Sequence, residues 1–270
     1  MKLSFSSLGC PDYTIDQIVA CAEEYGYDGV EIRTVQNTVK LWELPDLSGA
    51  AALKIAKKKF DDAGLEIPVV GASGSFAKAG KDHQQEQLEQ LKQYGEIAQG
   101  LGAPYIRVFG GPVPEGQTME ECVKWDIEGY EKAIPVMEQF GVTLLLETHD
   151  SFSKSESLLP IIVGLKEKIG VIWDILHPIR FGEAFEDTAR NLKPYIKHVH
   201  IKDSKVFNEK AFDFELPGNG SMPIPKLIEN LRSISYNGYL SFEWERGWHP
   251  EIPSCEVAFP HYINYMRKYM

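Results

Sequence analysis

This 270-residue chain lacks several sequence features that mark common classes of protein. Lysine and arginine number 28 against 39 aspartates and glutamates, which gives a net charge of -11, and no basic run occurs. Since affinity for nucleic acid depends mainly on neutralising phosphates, this balance argues against a nucleic-acid partner. No stretch approaches the roughly 20 apolar residues that span a bilayer, so we expect no membrane association.

Paired cysteines are also missing. The chain has four cysteines, Cys10, Cys21, Cys122 and Cys255, without a CxxC pair or zinc-finger spacing. This usage is typical of reduced cysteines in a cytosolic protein. The sequence from Met1 to Phe5 begins like a strand and lacks an apolar signal core, so we expect a cytoplasmic location.

No linker-like or low-complexity tract divides the chain, and segments with strand and helix patterns alternate along it. The predicted strands cover residues 3–7, 29–33, 67–73, 105–109, 143–149, 171–175, 195–203 and 239–245. Regular alternation of strands and helices predicts a parallel sheet, and eight units suit a closed barrel. We therefore predict one (β/α)8 TIM-barrel domain over residues 1–270. The alternative, a doubly wound open sheet, requires strands that are apolar on both faces, which these strands are not.

The seventh strand, residues 195–203, shows the polarity of the barrel interior most clearly. Its alternation places His198, His200 and Lys202 on one face. The same alternation in other strands directs further ionisable side chains inward: Glu31, Arg33, Arg107, Glu147, His149, Asp174, Glu243 and Glu245. Buried charges are costly unless they pair, bind a metal or face a wet cavity.

A structural network of ion pairs explains part of this set, such as Glu31 with Arg33 or Arg107. It does not readily explain carboxylates and a histidine that converge from four neighbouring strands. These residues also lie near the carboxyl ends of the strands, where barrel enzymes place their active sites. The pattern therefore favours a functional site over a purely structural network.

The chemistry of the predicted cluster is that of a divalent metal site. Glu147, Asp174, His200 and Glu243 offer carboxylate oxygens and one imidazole nitrogen, which suit manganese, magnesium or cobalt, with zinc as a further option. Such a metal polarises a sugar carbonyl and stabilises an enediolate. Glu147 and Glu243, on opposing sides of the substrate, would remove and return a proton beside the carbonyl. The predicted activity is therefore isomerisation or epimerisation of a keto sugar.

The ordered motifs resemble the xylose isomerase-like barrel superfamily, and in particular its D-tagatose 3-epimerase-like members among the sugar phosphate isomerases and epimerases. The resemblance spans the whole chain and rests on residues 144–149 (LLLETH), 172–178 (IWDILHP), 198–203 (HVHIKD), 240–243 (LSFE) and 218–220 (GNG). It implies one metal held by Glu147, Asp174, His200 and Glu243, and Glu147 with Glu243 as the acid/base pair.

The resemblance also implies a role for His177, as the histidine that contacts substrate oxygens near the metal. Arg107, His149 and Lys202 are further candidates for substrate binding, or else for orienting ligands or pairing in the lumen. His198 is expected to have a structural role, one layer deeper in the barrel than the predicted ligands. The family favours a homodimer or homotetramer and a small sugar or polyol as the substrate.

Two other activities occur on the same scaffold. A dehydratase of the inosose or dehydroshikimate type would use the same metal and base to expel a hydroxyl group. An endonuclease IV-like hydrolase would need extra histidines on strands three and four, where this chain has 71–73 (GAS) and 109–111 (FGG). No glycine-rich phosphate cradle follows strands seven or eight, which favours an unphosphorylated substrate.

Overall fold

Eight parallel strands form the centre of the computed structural model, which describes residues 1–270. The strands are β1 (Lys2–Ser6), β2 (Gly29–Glu31), β3 (Val69–Gly71), β4 (Tyr105–Phe109), β5 (Thr143–Glu147), β6 (Gly170–Asp174), β7 (Ile196–Ile201) and β8 (Tyr239–Phe242). Their order around the sheet is β2-β1-β8-β7-β6-β5-β4-β3. Bridges between Gly29 and Glu66 and between Ile32 and Val70 join the two ends. The predicted single-domain (β/α)8 barrel is confirmed.

Nine helices surround the strands. They are α1 (Ile15–Tyr25), α2 (Ala50–Asp62), α3 (Lys81–Leu101), α4 (Met119–Gln139), α5 (Ser155–Gly164), α6 (Leu176–Arg180), α7 (Phe185–Leu192), α8 (Ile224–Ser233) and α9 (Cys255–Met266). None of them combines the length and the apolar character that a bilayer-crossing helix requires.

Local sequence signals explain where several helices begin and end. Helix α1 starts with a capping box in which Thr14 and Gln17 satisfy each other's backbone N–H groups, and it stops at Gly26 with φ of 73°. His177, two residues beyond the sixth predicted strand at 171–175, lies on the short helix α6. Five residues are too few for a recognisable helical period, which is why the pattern did not reveal this helix.

The barrel has an apolar shell and an apolar floor. A cluster of 70 buried hydrophobic residues fills the space between strands and helices. A separate cluster of three, Val69, Leu145 and Ile172, closes the lumen below the ionisable side chains. Leu145 and Ile172 each precede an inward carboxylate by two residues on the same strand, so the polar part of the lumen opens toward the carboxyl ends of the strands.

Candidate metal centre and active site

The four predicted metal ligands converge in the lumen. Glu147 and Asp174 are the last residues of β5 and β6, His200 lies on β7, and Glu243 directly follows β8. All four are buried, and one possible ligand atom from each lies within 4.8 Å of the others. The strand register pairs Asp174 with His200 directly, so neighbouring strands bring these side chains to one level.

His200 is oriented by Glu31, a residue whose role the sequence prediction assigned differently. The His200 Nε2 atom lies 2.9 Å from Glu31 Oε2. This contact turns Nδ1 toward Glu147 Oε1 at 2.9 Å and Glu243 Oε2 at 3.2 Å. A carboxylate that holds the remote nitrogen of a ligating histidine fixes the ring and raises its basicity.

The suggested ion pair between Glu31 and Arg33 or Arg107 is wrong. Glu31 Oε2 instead accepts hydrogen bonds from His198 at 3.0 Å and from the Ser241 hydroxyl at 3.2 Å, in addition to His200. Burial raises the pKa of Glu31, but His200 and His198 outweigh burial and hold it well below its usual range. No signal in the sequence indicates this choice of partner, because the alternation shows that a side chain points into the lumen but not which side chains it meets there.

Arg107 connects the two glutamates. Its Nη1 atom lies 2.8 Å from Glu147 Oε2 and 3.7 Å from Glu243 Oε1, and its guanidinium stacks 4.2 Å from the centre of the Phe109 ring. Burial raises the pKa of both glutamates, but His200 and the nearby cations lower it below the usual range. Both carboxylates are therefore ionised at neutral pH.

Lys202 lies among carboxylates at the other side of the cluster. Its ammonium is 2.7 Å from Asp174 Oδ2, 2.6 Å from Glu243 Oε2 and 2.5 Å from Glu245 Oε1. Burial raises the pKa of Asp174 even though Lys202 opposes that shift. Lys202 therefore positions two of the predicted metal ligands, Asp174 and Glu243.

His177 and His149 form an edge of the site beside Asp174. Their rings are 4.3 Å apart, and His177 Nε2 lies 4.0 Å from Asp174 Oδ2 without a hydrogen-bond partner. Burial, together with His149 and Lys202, lowers the pKa of His177 well below its usual value, so this ring is neutral. Burial opposes charge on His149 as well, but the contact with Asp150 and the charge of Glu147 raise its pKa above the usual value.

The donor set fits a divalent cation. Three carboxylates and the Nδ1 atom of an oriented imidazole face one point, and beside them His177 Nε2 is buried without a hydrogen-bond partner. Oxygen-rich ligation with one imidazole suits manganese, cobalt and zinc, and it also accommodates magnesium. The second histidine of strand seven, His198, contacts Glu31 and lies outside this group of four.

Asp203 has a structural role that the sequence prediction missed. Its carboxylate is buried and accepts hydrogen bonds from four backbone N–H groups, those of Ser204, Gly218, Gly220 and Met222, at 2.7 to 3.1 Å. A Cβ atom at Gly220 would lie 2.1 Å from Asp203 Oδ1, so the turn at 218–220 needs glycine there. The aspartate that follows Lys202 thus anchors the loop between β7 and α8.

Comparison with known proteins agrees with this geometry. The family model described as the xylose isomerase-like TIM barrel matches residues 19–260. The chain belongs to this family. Among curated members, inosose isomerase of Bacillus licheniformis is 23% identical over 232 residues, which cover 82% of this chain and 80% of that protein. Fructoselysine 3-epimerase of Escherichia coli O157:H7 is 22% identical and covers 90% of each chain.

Solved structures share the fold over the whole chain. The IolI protein with a bound zinc atom superposes with a TM-score of 0.85 at 20% identity, covering 100% of this chain and 99% of that one. A D-tagatose 3-epimerase-like protein superposes with a TM-score of 0.78 at 20% identity, covering 100% and 97%. The resemblance to the xylose isomerase-like barrels, including their D-tagatose 3-epimerase-like members, is confirmed.

Proposed function

We propose that this protein is a divalent-metal-dependent isomerase or epimerase of a keto sugar or a related polyol. The observation that carries the proposal is the convergence of Glu147, Asp174, His200 and Glu243 at one buried point. Arg107 holds the two glutamates together from the side, which fits a pair that works on one substrate. The names of the curated relatives, an inosose isomerase and a fructoselysine 3-epimerase, support the same class of reaction.

The proposed metal ligands are Glu147, Asp174, His200 and Glu243, and the metal is manganese in the first instance, with magnesium, cobalt or zinc as alternatives. The zinc atom in the related IolI structure supports a divalent ion. When bound, such an ion polarises a substrate carbonyl and stabilises the charge that develops on its oxygen. Lys202 and Glu31 would keep Asp174, Glu243 and His200 in position.

Proton transfer falls to the two glutamates. One carboxylate removes the proton from the carbon beside the carbonyl; the electron pair of that C–H bond forms a C=C bond, and the π pair of the C=O bond moves onto the carbonyl oxygen. The other glutamate is also ionised at rest, so it must first take up a proton from solvent, and it returns that proton to carbon, from the opposite face in an epimerisation. His177, neutral and with a free Nε2, is placed to hydrogen-bond a substrate hydroxyl or carbonyl oxygen. Arg107, His149 and Lys202 are the other residues proposed to contact the substrate.

Hydrogen exchange in heavy water tests this proposal. Manganese-loaded protein incubated with a panel of ketoses, inososes and hydroxypyruvate should place deuterium on the carbon beside the carbonyl without loss of water. Exchange coupled to loss of one water would identify a dehydratase on the same scaffold instead. Absence of both reactions across the panel would contradict the proposed function.

We also propose a cytoplasmic location, a small-molecule partner only, and a homodimer or homotetramer. All four cysteines are free and buried, which suits a reducing compartment. The acidic net charge of -11 supports the absence of a nucleic-acid partner.

A further inference from the structure

Arg33 is a buried cation without a carboxylate partner. It follows β2 and is 5% exposed, and no carboxylate oxygen lies within 4.0 Å of its guanidinium nitrogens. Its Nη1 donates to the Gly71 carbonyl at 3.2 Å and its Nη2 donates to the Ser73 hydroxyl at 2.6 Å, while Nε has no partner. Since a guanidinium has five N–H donors, three remain for another group.

The other cations of the lumen differ from Arg33 in this respect. Arg107 pairs with Glu147, and Lys202 pairs with three carboxylates. Burial and the charge of Arg107 lower the pKa of Arg33 to about 10, so it still carries a full charge near neutral pH. A buried charge without a counter-ion is costly, and an anion at this point would remove that cost.

Arg33 also lies where the distal end of a substrate would lie. Strand β2 is four strands from β6 in either direction around the barrel, so Arg33 faces the lumen opposite Asp174 and His177. Trp248, which is 52% exposed, places its ring 5.8 Å from the Arg33 guanidinium. A Cβ atom at Gly71 would lie 2.7 Å from Arg33 Cδ, so the glycine leaves the space that this side chain occupies.

We propose that the substrate carries an anionic oxygen group, a carboxylate or a phosphate, at the end remote from the metal ligands, and that Arg33 binds it. This inference rests on the proposed function, because it presumes that a polyol lies across the lumen with its carbonyl at the four ligands. The Nε and Nη2 atoms of Arg33 form the fork that binds two oxygens of one anion. The Trp248 ring and the Ser73 hydroxyl complete the subsite.

Binding of three ligands of equal carbon number tests the inference. They are a neutral keto sugar, the corresponding keto sugar acid with a terminal carboxylate, and the corresponding terminal phosphate, each titrated by calorimetry into manganese-loaded protein. One anionic ligand should bind on the order of 10- to 100-fold more tightly than the neutral sugar, as expected for hydrogen bonds to a charged group. Which anion binds more tightly distinguishes the carboxylate from the phosphate.

Variants assign the preference to Arg33. Arg33→Gln should remove the advantage of the anion and leave the affinity for the neutral sugar within a few-fold. Arg190→Gln is the matched control, because Arg190 lies on the outer helix α7, is exposed, and pairs only with Asp187. It should keep the full preference. If Arg33→Gln does not fold, the ligand series on the unmodified protein still decides the question.

Two results would overturn the inference: equal binding of all three ligands by the unmodified protein, or an equal loss for all three in Arg33→Gln. These outcomes are separable from failure of the proposed function. Deuterium exchange into the neutral sugar without a preference for anions would retain the isomerase and remove the Arg33 subsite. An anion preference without exchange or turnover would retain the subsite and remove the isomerase.

Discussion

At the scale of single residues, the site depends on how each histidine ring is held. His198 and His200 are two positions apart on one strand face and both contact Glu31 Oε2, yet only His200 also faces Glu147 and Glu243. The alternation of strand seven placed both rings in the lumen. The two histidines differ because only His200 lies at the same level of the barrel as the carboxylates of Glu147, Asp174 and Glu243.

Metal binding by histidine variants tests this difference. His200→Ala should weaken manganese binding far more than His198→Ala, because only His200 presents a nitrogen to the carboxylates. Removing an orienting partner costs about 10- to 100-fold in metal affinity, so Glu31→Gln should fall between the two. Calorimetric titration of manganese measures all three, and equal effects of the two histidine variants would show that the assignment is wrong.

The proposed acid/base role of Glu243 predicts a loss of turnover without a loss of fold. Glu243→Gln keeps the shape of the side chain but cannot accept a proton, so the rate should fall by about 100-fold or more. Glu245→Gln is the control, since Glu245 contacts Lys202 at the rim and lies outside the four ligands. Circular dichroism checks that the variant is folded, and steady-state kinetics measures the rate. Retained activity in Glu243→Gln would place the base elsewhere.

At the scale of elements, the strands were easier to predict than the loops. The prediction for β4 has the observed bounds, Tyr105–Phe109, because alternation and a flanking glycine both mark it. Helix α5 ends at Gly164, and Lys166 and Glu167 just beyond it adopt positive φ angles that no local signal in the sequence indicates. The role of Asp203 depends on a turn that lies 15 to 19 residues further along the chain.

Asp203 should control the order of the loop from 204 to 222. Asp203→Ala leaves four backbone N–H groups without their acceptor, so amide hydrogen exchange in this loop should accelerate while β7 stays protected. Manganese affinity should change little, because Asp203 is not among the four ligands. Hydrogen exchange detected by mass spectrometry measures the exchange rates of the loop and of β7. Unchanged exchange in the loop would contradict the role given to the carboxylate.

At the scale of the whole molecule, the sequence predicted the barrel and the convergence of Glu147, Asp174, His200 and Glu243, because both follow from strand order and alternation. It did not predict which charges pair. Glu31 contacts the two histidines, and Arg33 has no carboxylate partner. Both facts depend on distances across the lumen that no single strand specifies. The apolar floor of Val69, Leu145 and Ile172 depends in the same way on three separate strands.

Metal affinity should increase with pH. Burial lowers the pKa of His200, but Glu243, Glu31 and Glu147 together raise it well above its usual value, so the metal-free ring is protonated at neutral pH. A metal ion at Nδ1 must displace that proton, and proton release favours binding at higher pH. The association constant for manganese should rise about tenfold per pH unit between about pH 6 and about pH 8, for one released proton. Calorimetry in two buffers of different ionisation enthalpy would count the protons, and a flat profile would contradict this assignment.

The metal content of the purified protein tests the central claim most directly. After reconstitution with manganese and removal of free ions, elemental analysis should find close to one divalent ion per chain, since the structure offers one group of four converging ligands, Glu147, Asp174, His200 and Glu243. Replacing Asp174 and His200 together by alanine should abolish that binding. No bound ion after reconstitution, or three ions per chain, would contradict the account.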